Sequence, residues 1–146
     1  MDINRLLLIG ALAILSGCAT GMKHAEMKSQ IPAVKSDEGR VYFFRSASMF
    51  GAAIQPDIRL NGVVVGSSKP GGFFFIDRGP GSYEANASTE LERKLTFTLD
   101  VGETKYVRTS PSFGVLVGRI NFALVNRPEA ETEMESLSYT GAPAVK

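Results

Sequence analysis

Leu95, Phe97 and Leu99 alternate with Lys94, Thr96 and Thr98, an apolar–polar period of two that predicts a strand with one wet face. Tyr83, Ala85 and Ala87 alternate with Glu84, Asn86 and Ser88 in the same way, and Ile120, Phe122 and Leu124 fall on one face of residues 119–125. Ile58 and Leu60 flank Arg59, after which Asn61-Gly62 leads into Val63-Val64-Val65-Gly66. Asn-Gly between apolar runs predicts a hairpin closed by a type I′ turn, because both central residues of that turn need positive φ. Val41-Tyr42-Phe43-Phe44 and Phe73-Phe74-Phe75-Ile76 are apolar at every position, the pattern of strands covered on both sides. Tyr106 and Val107 mark a further strand over 105–109. Turns are expected at Pro70-Gly71-Gly72, Gly79-Pro80-Gly81 and Val101-Gly102-Glu103. Residues 46–56 read as a loop of small residues around Met49 and Phe50, two side chains expected to dip into the core, with an exposed sticky tip as the alternative.

The period changes after residue 127. Pro128 suits a first helical turn, and Glu129 and Glu131 suit the positive end of a helix dipole. Ala130, Met134 and Leu137 form one stripe at i, i+4 and i+7, so the helix is expected to lie against the sheet. About seven short strands spaced roughly ten residues apart and followed by one helix predict a mainly β domain over 39–139. Its architecture is an antiparallel β-sandwich or partly open barrel with one C-terminal helix, and not a parallel sheet. Residues 140–146 carry no pattern and are expected to be a disordered tail.

Before the strands the chain opens on Arg5 and an apolar run over 6–15 broken only by Gly10. A membrane span needs about 20 apolar residues, so a run half that long reads as the core of a secretory signal. The four residues at its end, Leu15-Ser16-Gly17-Cys18, resemble the lipobox of bacterial lipoproteins: an aliphatic residue, a small one, Gly or Ala, then Cys. The resemblance implies a diacylglyceryl group on the Cys18 sulfur, cleavage before Cys18 with Leu15, Ser16 and Gly17 as the peptidase recognition residues, and a further acyl chain such as palmitate on the new amino terminus. Residues 1–17 are then a signal peptide, and 18–38 a lipidated cysteine and flexible tether. A short helix around Met22 to Met27 is allowed there but not required. About twenty flexible residues would reach roughly 25 Å. His24, the one histidine of the chain, falls in that tether and reads as solvated. Ala19, where an Asp would imply retention at the inner membrane, points to a cell-membrane anchor at the outer membrane facing the periplasm if the source is Gram-negative.

Composition narrows the chemistry. The 146 residues are 44% hydrophobic and 21% charged, ordinary for one globular domain. Sixteen Lys and Arg against fifteen Asp and Glu give a net charge of +1, and loss of Asp2 and Arg5 with the signal leaves it there. No basic patch stands out, so nucleic acid is not an expected partner. With Cys18 the one cysteine, acylation would leave no thiol, disulfide or thiolate metal site. No phosphate loop leads into a helix and no histidine triad can form, so no catalytic residue, metal or cofactor is expected. Asp57, Asp77, Glu84 and Glu103 are the acids that would have to converge in a paired-carboxylate hydrolase, the remote alternative. Arg40, Arg45, Arg59 and Arg108 stand at strand ends or on polar faces, where they are expected to be solvated cross-strand partners; an anion-binding face is the alternative. Gly114-Val115-Leu116-Val117-Gly118 has the small-xxx-small spacing of membrane helix pairs. Arg119 and Asn121 cut its apolar run short, so a loop entering an edge strand is expected.

Gly39-Arg40-Val41-Tyr42-Phe43-Phe44-Arg45, Leu60-Asn61-Gly62 with Gly66, Phe74 to Asp77 with Pro80-Gly81, and Gly102-Glu103-Thr104-Lys105-Tyr106-Val107-Arg108 together resemble an uncharacterised family of bacterial envelope lipoproteins catalogued as a domain of unknown function. The resemblance spans Gly39 to about Leu137. It implies lipoprotein status and a β-rich domain, and supplies no activity. Asn61-Gly62, Gly66 and Pro80-Gly81-Ser82-Tyr83 are more weakly similar to PEGA-type surface β-domains. The expected function is a lipid-anchored cell-envelope protein with a non-catalytic β-domain for protein interaction or a structural role. The alternative is a small-ligand or glycan-binding module whose face draws on Arg45, Arg59, Phe73, Phe75, Tyr83 and Arg108.

Overall fold

The computed structural model describes residues 18–87, 93–114 and 118–141. The expected signal peptide with Leu15, Ser16 and Gly17, the charged loop at 89–92 and nearly all of the expected tail lie outside the described residues. Among the described residues, nine strands form two sheets: β1 (Gly39–Arg45), β2 (Asp57–Leu60), β3 (Val63–Ser67), β4 (Gly72–Arg78), β5 (Gly81–Ala87), β6 (Lys94–Leu99), β7 (Thr104–Phe113), β8 (Gly118–Val125) and β9 (Ser138–Tyr139). Two helices accompany them, α1 (His24–Met27) and α2 (Arg127–Met134). One sheet has the order β8-β7-β1-β4-β9 and the other β3-β2-β5-β6, and they stack as a sandwich.

All seven residues of β1 are buried, as its two-sided apolar pattern requires. Val41 and Phe43 point between the sheets with Phe74 and Val107, against Ile58, Leu60, Ala85, Phe97 and Leu99 of the other sheet. Tyr42 and Phe44 point the other way with Phe73 and Tyr106, into a second core under Ala130, Met134 and Leu137. Burying each large apolar side chain contributes about 1.5–3 kcal/mol, so these two clusters dominate the favourable side of folding.

The β2–β3 turn has φ of 49° at Asn61 and 81° at Gly62, as the Asn-Gly hairpin demands. The strand over 94–99 buries Phe97 and Leu99 and exposes Lys94, Thr96 and Thr98. At α2 the Asn126 side chain accepts from the Glu129 N–H at 3.1 Å, capping the helix just before Pro128. Arg108 on β7 holds the outer turns of α2 through Glu129 and Glu133.

Several expectations need correction. The five-stranded sheet is mixed rather than antiparallel, because β1 pairs parallel with β7 and β4 parallel with β9. Parallel neighbours need a long crossover, and the whole second sheet (β2, β3, β5 and β6) together with β4 intervenes between β1 and β7. β7 continues through Pro111 instead of ending at Thr109. Beyond Arg108 it has left β1 and pairs only with β8, and an edge tolerates proline. Met49 and Phe50 do not enter the core: they are 87% and 58% exposed. The room beneath their loop is taken by the Arg45 side chain, which bonds to the loop's own backbone.

The segment expected to be a flexible tether is docked from Ala19 to Ile31. The His24 N–H donates to Leu137 O at 2.8 Å, the Tyr139 N–H to Met22 O at 2.8 Å, and Lys23 forms a β-bridge with Ser138. The physical reason is the second core. α2 covers only part of its aromatic floor, and His24 and Met27 cover more. Thr140, the first residue of the expected tail, also bonds the sheet through Phe73 O.

If the second core carries the fold as described, Met134→Ala will lower unfolding free energy by about 2–5 kcal/mol in denaturant titrations followed by circular dichroism. Leu124→Ala, at an exposed edge position, will change it by no more than about 0.5 kcal/mol.

Candidate functional site

The two-sided burial of β1 leaves one place where its outer face is imperfectly covered. Between α1, the non-strand segment that follows it and α2 lies a cleft of about 240 Å³ whose floor is Tyr42 and Tyr106. These rings stack at 5.3 Å with an interplanar angle of 8°, a consequence of the parallel register that sets Tyr42 opposite Tyr106. His24 and Lys28 line one wall, Arg127 and Glu131 another, and Arg40 closes one end.

Arg40 is held by geometry that the strand pairing imposes. It lies directly across from Asp77 in the β1–β4 register, and its guanidinium donates to both carboxylate oxygens, at 2.6 Å and 2.8 Å. The same guanidinium lies 4.4 Å from the centre of the Phe75 ring, a cation–π contact. Donating to the Asp77 carboxylate raises the Arg40 pKa further, so this charge is permanent. Burial pushes the Tyr42 phenol up, with Arg40 pulling partly against it, and burial likewise pushes Tyr106 up. Burial holds the His24 imidazole below its usual 6.5, and Lys28 adds to that, while Glu131 and Glu135 oppose it. At neutral pH the cleft therefore presents two neutral phenols and a neutral imidazole between fixed charges. That set can donate and accept hydrogen bonds.

The acids weighed for hydrolysis are each engaged separately. Asp57 accepts from the Ser67 hydroxyl at 3.1 Å and Asp77 from Arg40. Glu84 pairs with Lys94 at 3.0 Å and Glu103 with Lys105 at 2.7 Å. The Lys105 bond and the Asp100 N–H hold the Glu103 carboxyl below its usual range. Among the described residues, no group of three or more His, Cys, Asp or Glu side chains is placed to hold a metal ion.

Side-chain parity along the strands separates the six residues proposed as one ligand face. Phe73, Phe75 and Arg108 share the helix-covered face with Arg40. Arg45 turns to the opposite side, at the end of the sandwich interior, where it is 2% exposed. Tyr83 packs into the inter-sheet core beside Phe97, its hydroxyl donating to Gly79 O at 2.6 Å. Arg59 alternates with buried Ile58 and Leu60, which puts it on the outer face of the other sheet. Arg40 and Arg108 do have partners, but these are a cross-strand acid and a helix rather than solvated neighbours. His24, expected to be solvated in the tether, is instead 5% exposed, because the turn of α1 seats its ring edge-on against Phe73.

Cys18 is exposed and unpaired by disulfide. The N–H of Ala19 donates to Pro70 O at 3.3 Å, so the cysteine lies at the end of the sandwich where β4 begins.

A family model described as a protein of unknown function, DUF2846, matches residues 35–119, from just before β1 to the start of β8. A protein of Haemophilus influenzae described as an uncharacterized protein is 24% identical over 136 residues, which cover 90% of this chain and 80% of that one. No solved structure matches the chain.

The depressed pKa of His24 sets a pH dependence. The unfolded chain takes up a proton near the usual 6.5 that the folded chain resists, so this contribution to stability is full above that pH and is lost as pH falls through the folded-state value. The urea midpoint is expected to fall between about pH 7.5 and 5.5, and to fall less in His24→Phe, which has no imidazole to charge.

Proposed function

The chain belongs to the DUF2846 family, a membership that carries no activity with it, and we propose that it is a lipid-anchored cell-envelope lipoprotein. Its β-domain is a non-catalytic module for interaction with another envelope protein or for a structural role. The observation that carries this reading is Leu15-Ser16-Gly17-Cys18 standing directly behind a short apolar run, with the Cys18 side chain exposed where acyl chains would leave the domain. Each buried methylene contributes about 0.8 kcal/mol, and one chain holds only marginally, so the two or three chains of a lipoprotein cysteine make a firm anchor. Separate engagement of Asp57, Asp77, Glu84 and Glu103 supports a role without paired-carboxylate chemistry. Ala19 after Cys18 supports the outer membrane, facing the periplasm, in a Gram-negative cell.

The cleft over Tyr42 and Tyr106 favours a second reading, a module for a small glycan. Stacked phenol rings beside hydrogen-bonding groups suit a sugar ring. Saturation-transfer NMR with short oligosaccharides, lost in Tyr106→Ala, would favour it; a flat response would end it.

Wild-type chain expressed in a bacterial host is expected in the membrane fraction, with its first peptide starting at Cys18 and heavier by the diacylglyceryl and acyl groups. Cys18→Ser is expected in the soluble fraction with unchanged circular dichroism. An unmodified thiol on the wild-type protein, read by mass spectrometry, overturns the anchor.

A further inference from the structure

Strand register sorts the ends of the sandwich into two poles. The Asn61-Gly62 turn, the Gly79-Pro80 link and the Val101-Gly102 turn lie at one. The end of β1, the loop 46–56, the turn that contains Pro70, the end of β7 and Cys18 lie at the other. This second pole is apolar at its tip. Met49 is 87% exposed, and Phe50 and Phe113 are each 58% exposed. The two phenylalanines meet edge to face at 5.0 Å. Met49 shares with Cys18, Ala47, Ser48 and Pro70 a crevice of about 330 Å³ lined mostly by apolar atoms.

The tip is held outward rather than left loose. Arg45 is buried beneath it and donates to Gly51 O at 2.7 Å, Ile54 O at 2.5 Å and Ser68 O at 3.0 Å. Gly51 has φ of 65°, and a Cβ there would come within 2.5 Å of the Pro111 side chain, so the loop is pressed against β7. A cation spanning three carbonyls fixes the loop's shape while its two largest apolar side chains face out.

The docked N-terminal segment removes the slack that a tether would have supplied. Ala19 is bonded to Pro70, so the Cys18 sulfur is within about one residue, roughly 3.5 Å of chain, of the domain surface. Acyl chains on that sulfur would emerge beside Met49.

We propose that this pole is the membrane-facing surface of the protein: with Cys18 acylated, Met49, Phe50 and Phe113 lie in the boundary between head groups and acyl chains of a phospholipid bilayer. The proposal rests on the lipid-anchor reading and deepens it from attachment to orientation. A protein partner or a second copy would have to share the pole with the acyl chains, which is why a bilayer is the occupant argued here. An exposed apolar cluster beside the attachment point adds interfacial binding to the anchor and stops the domain from turning about it.

The chain contains no Trp, so single tryptophans report position cleanly. Phe50→Trp and, at the opposite pole, Val63→Trp are made in the full chain, and each acylated protein is reconstituted into phosphatidylcholine vesicles with brominated acyl chains. Both sites are exposed, so both variants keep the fold. A side chain about 5–10 Å into the interface should lose about half of its emission or more to bromine and shift to the blue, while the Val63→Trp signal stays unchanged. Emission from Phe50→Trp that stays red and unquenched, in vesicles that retain the protein, overturns the orientation and leaves the anchor standing. A Phe50→Trp signal that is blue but unquenched, with cross-links between chains, assigns the pole to protein instead and also overturns it. An unmodified Cys18 in the mass spectrum brings down the anchor and this proposal together.

Discussion

Val41-Tyr42-Phe43-Phe44 places large apolar side chains on both sides of one backbone, and covering both is the constraint from which the architecture follows. One side is met by the second sheet. The other needs α2, α1 and the N-terminal segment, none of which could close it alone. The central position of β1, flanked by β4 and β7, gives its backbone a hydrogen-bonded neighbour on each edge as well. Two cores of aromatic residues share this one strand, so a change on either face is felt through it by the other.

The arginines show how charge was fitted to that constraint. Arg40 is buried but meets Asp77 squarely across the ladder and rests on Phe75. Arg45 makes no ion pair among the described residues; carbonyl oxygens receive its protons, and burial lowers its pKa without neutralising it. Leaving such a cation without those oxygens would cost several kcal/mol, so the loop and the side chain hold each other in place. Arg108 spends its charge on Glu129 and Glu133. These three are occupied by folding and are not available to bind an anion.

Much of this was legible in the residues. Period-two stretches marked the strands, Asn61-Gly62 marked its turn, and Ala130, Met134 and Leu137 marked the buried stripe of the helix region. The pattern at β1 also said that both faces were covered, but not by what. A two-residue strand is too short to show a period, so β9 left no signature; the short helix allowed around Met22 to Met27 is present as α1, but one turn did not reveal that it docks, and the segment before β1 read as a tether. The placement of Met49 and Phe50 depended on Arg45 bonding to backbone oxygens, an interaction that leaves no trace in hydrophobic spacing. The arginines were expected at strand ends or on polar faces, and only strand parity taken with the sheet order reveals that Arg45, Arg59 and Arg108 look in three directions.

Lys23 bridges to Ser138, and β9 lies alongside β4, so the two ends of the domain are stitched to each other and to its middle. Contacts that span nearly the whole length of a chain form late, because the entropy of closing so large a loop must be met before they stabilise anything. A polypeptide emerging from a ribosome or a pore could close the inter-sheet side of β1 once β7 had arrived, but not the helix-covered side until residues 127–139 had followed. Folding is then expected on the order of milliseconds to seconds rather than microseconds, and every shortened form that stops before Ser138 would leave aromatic surface open to aggregation.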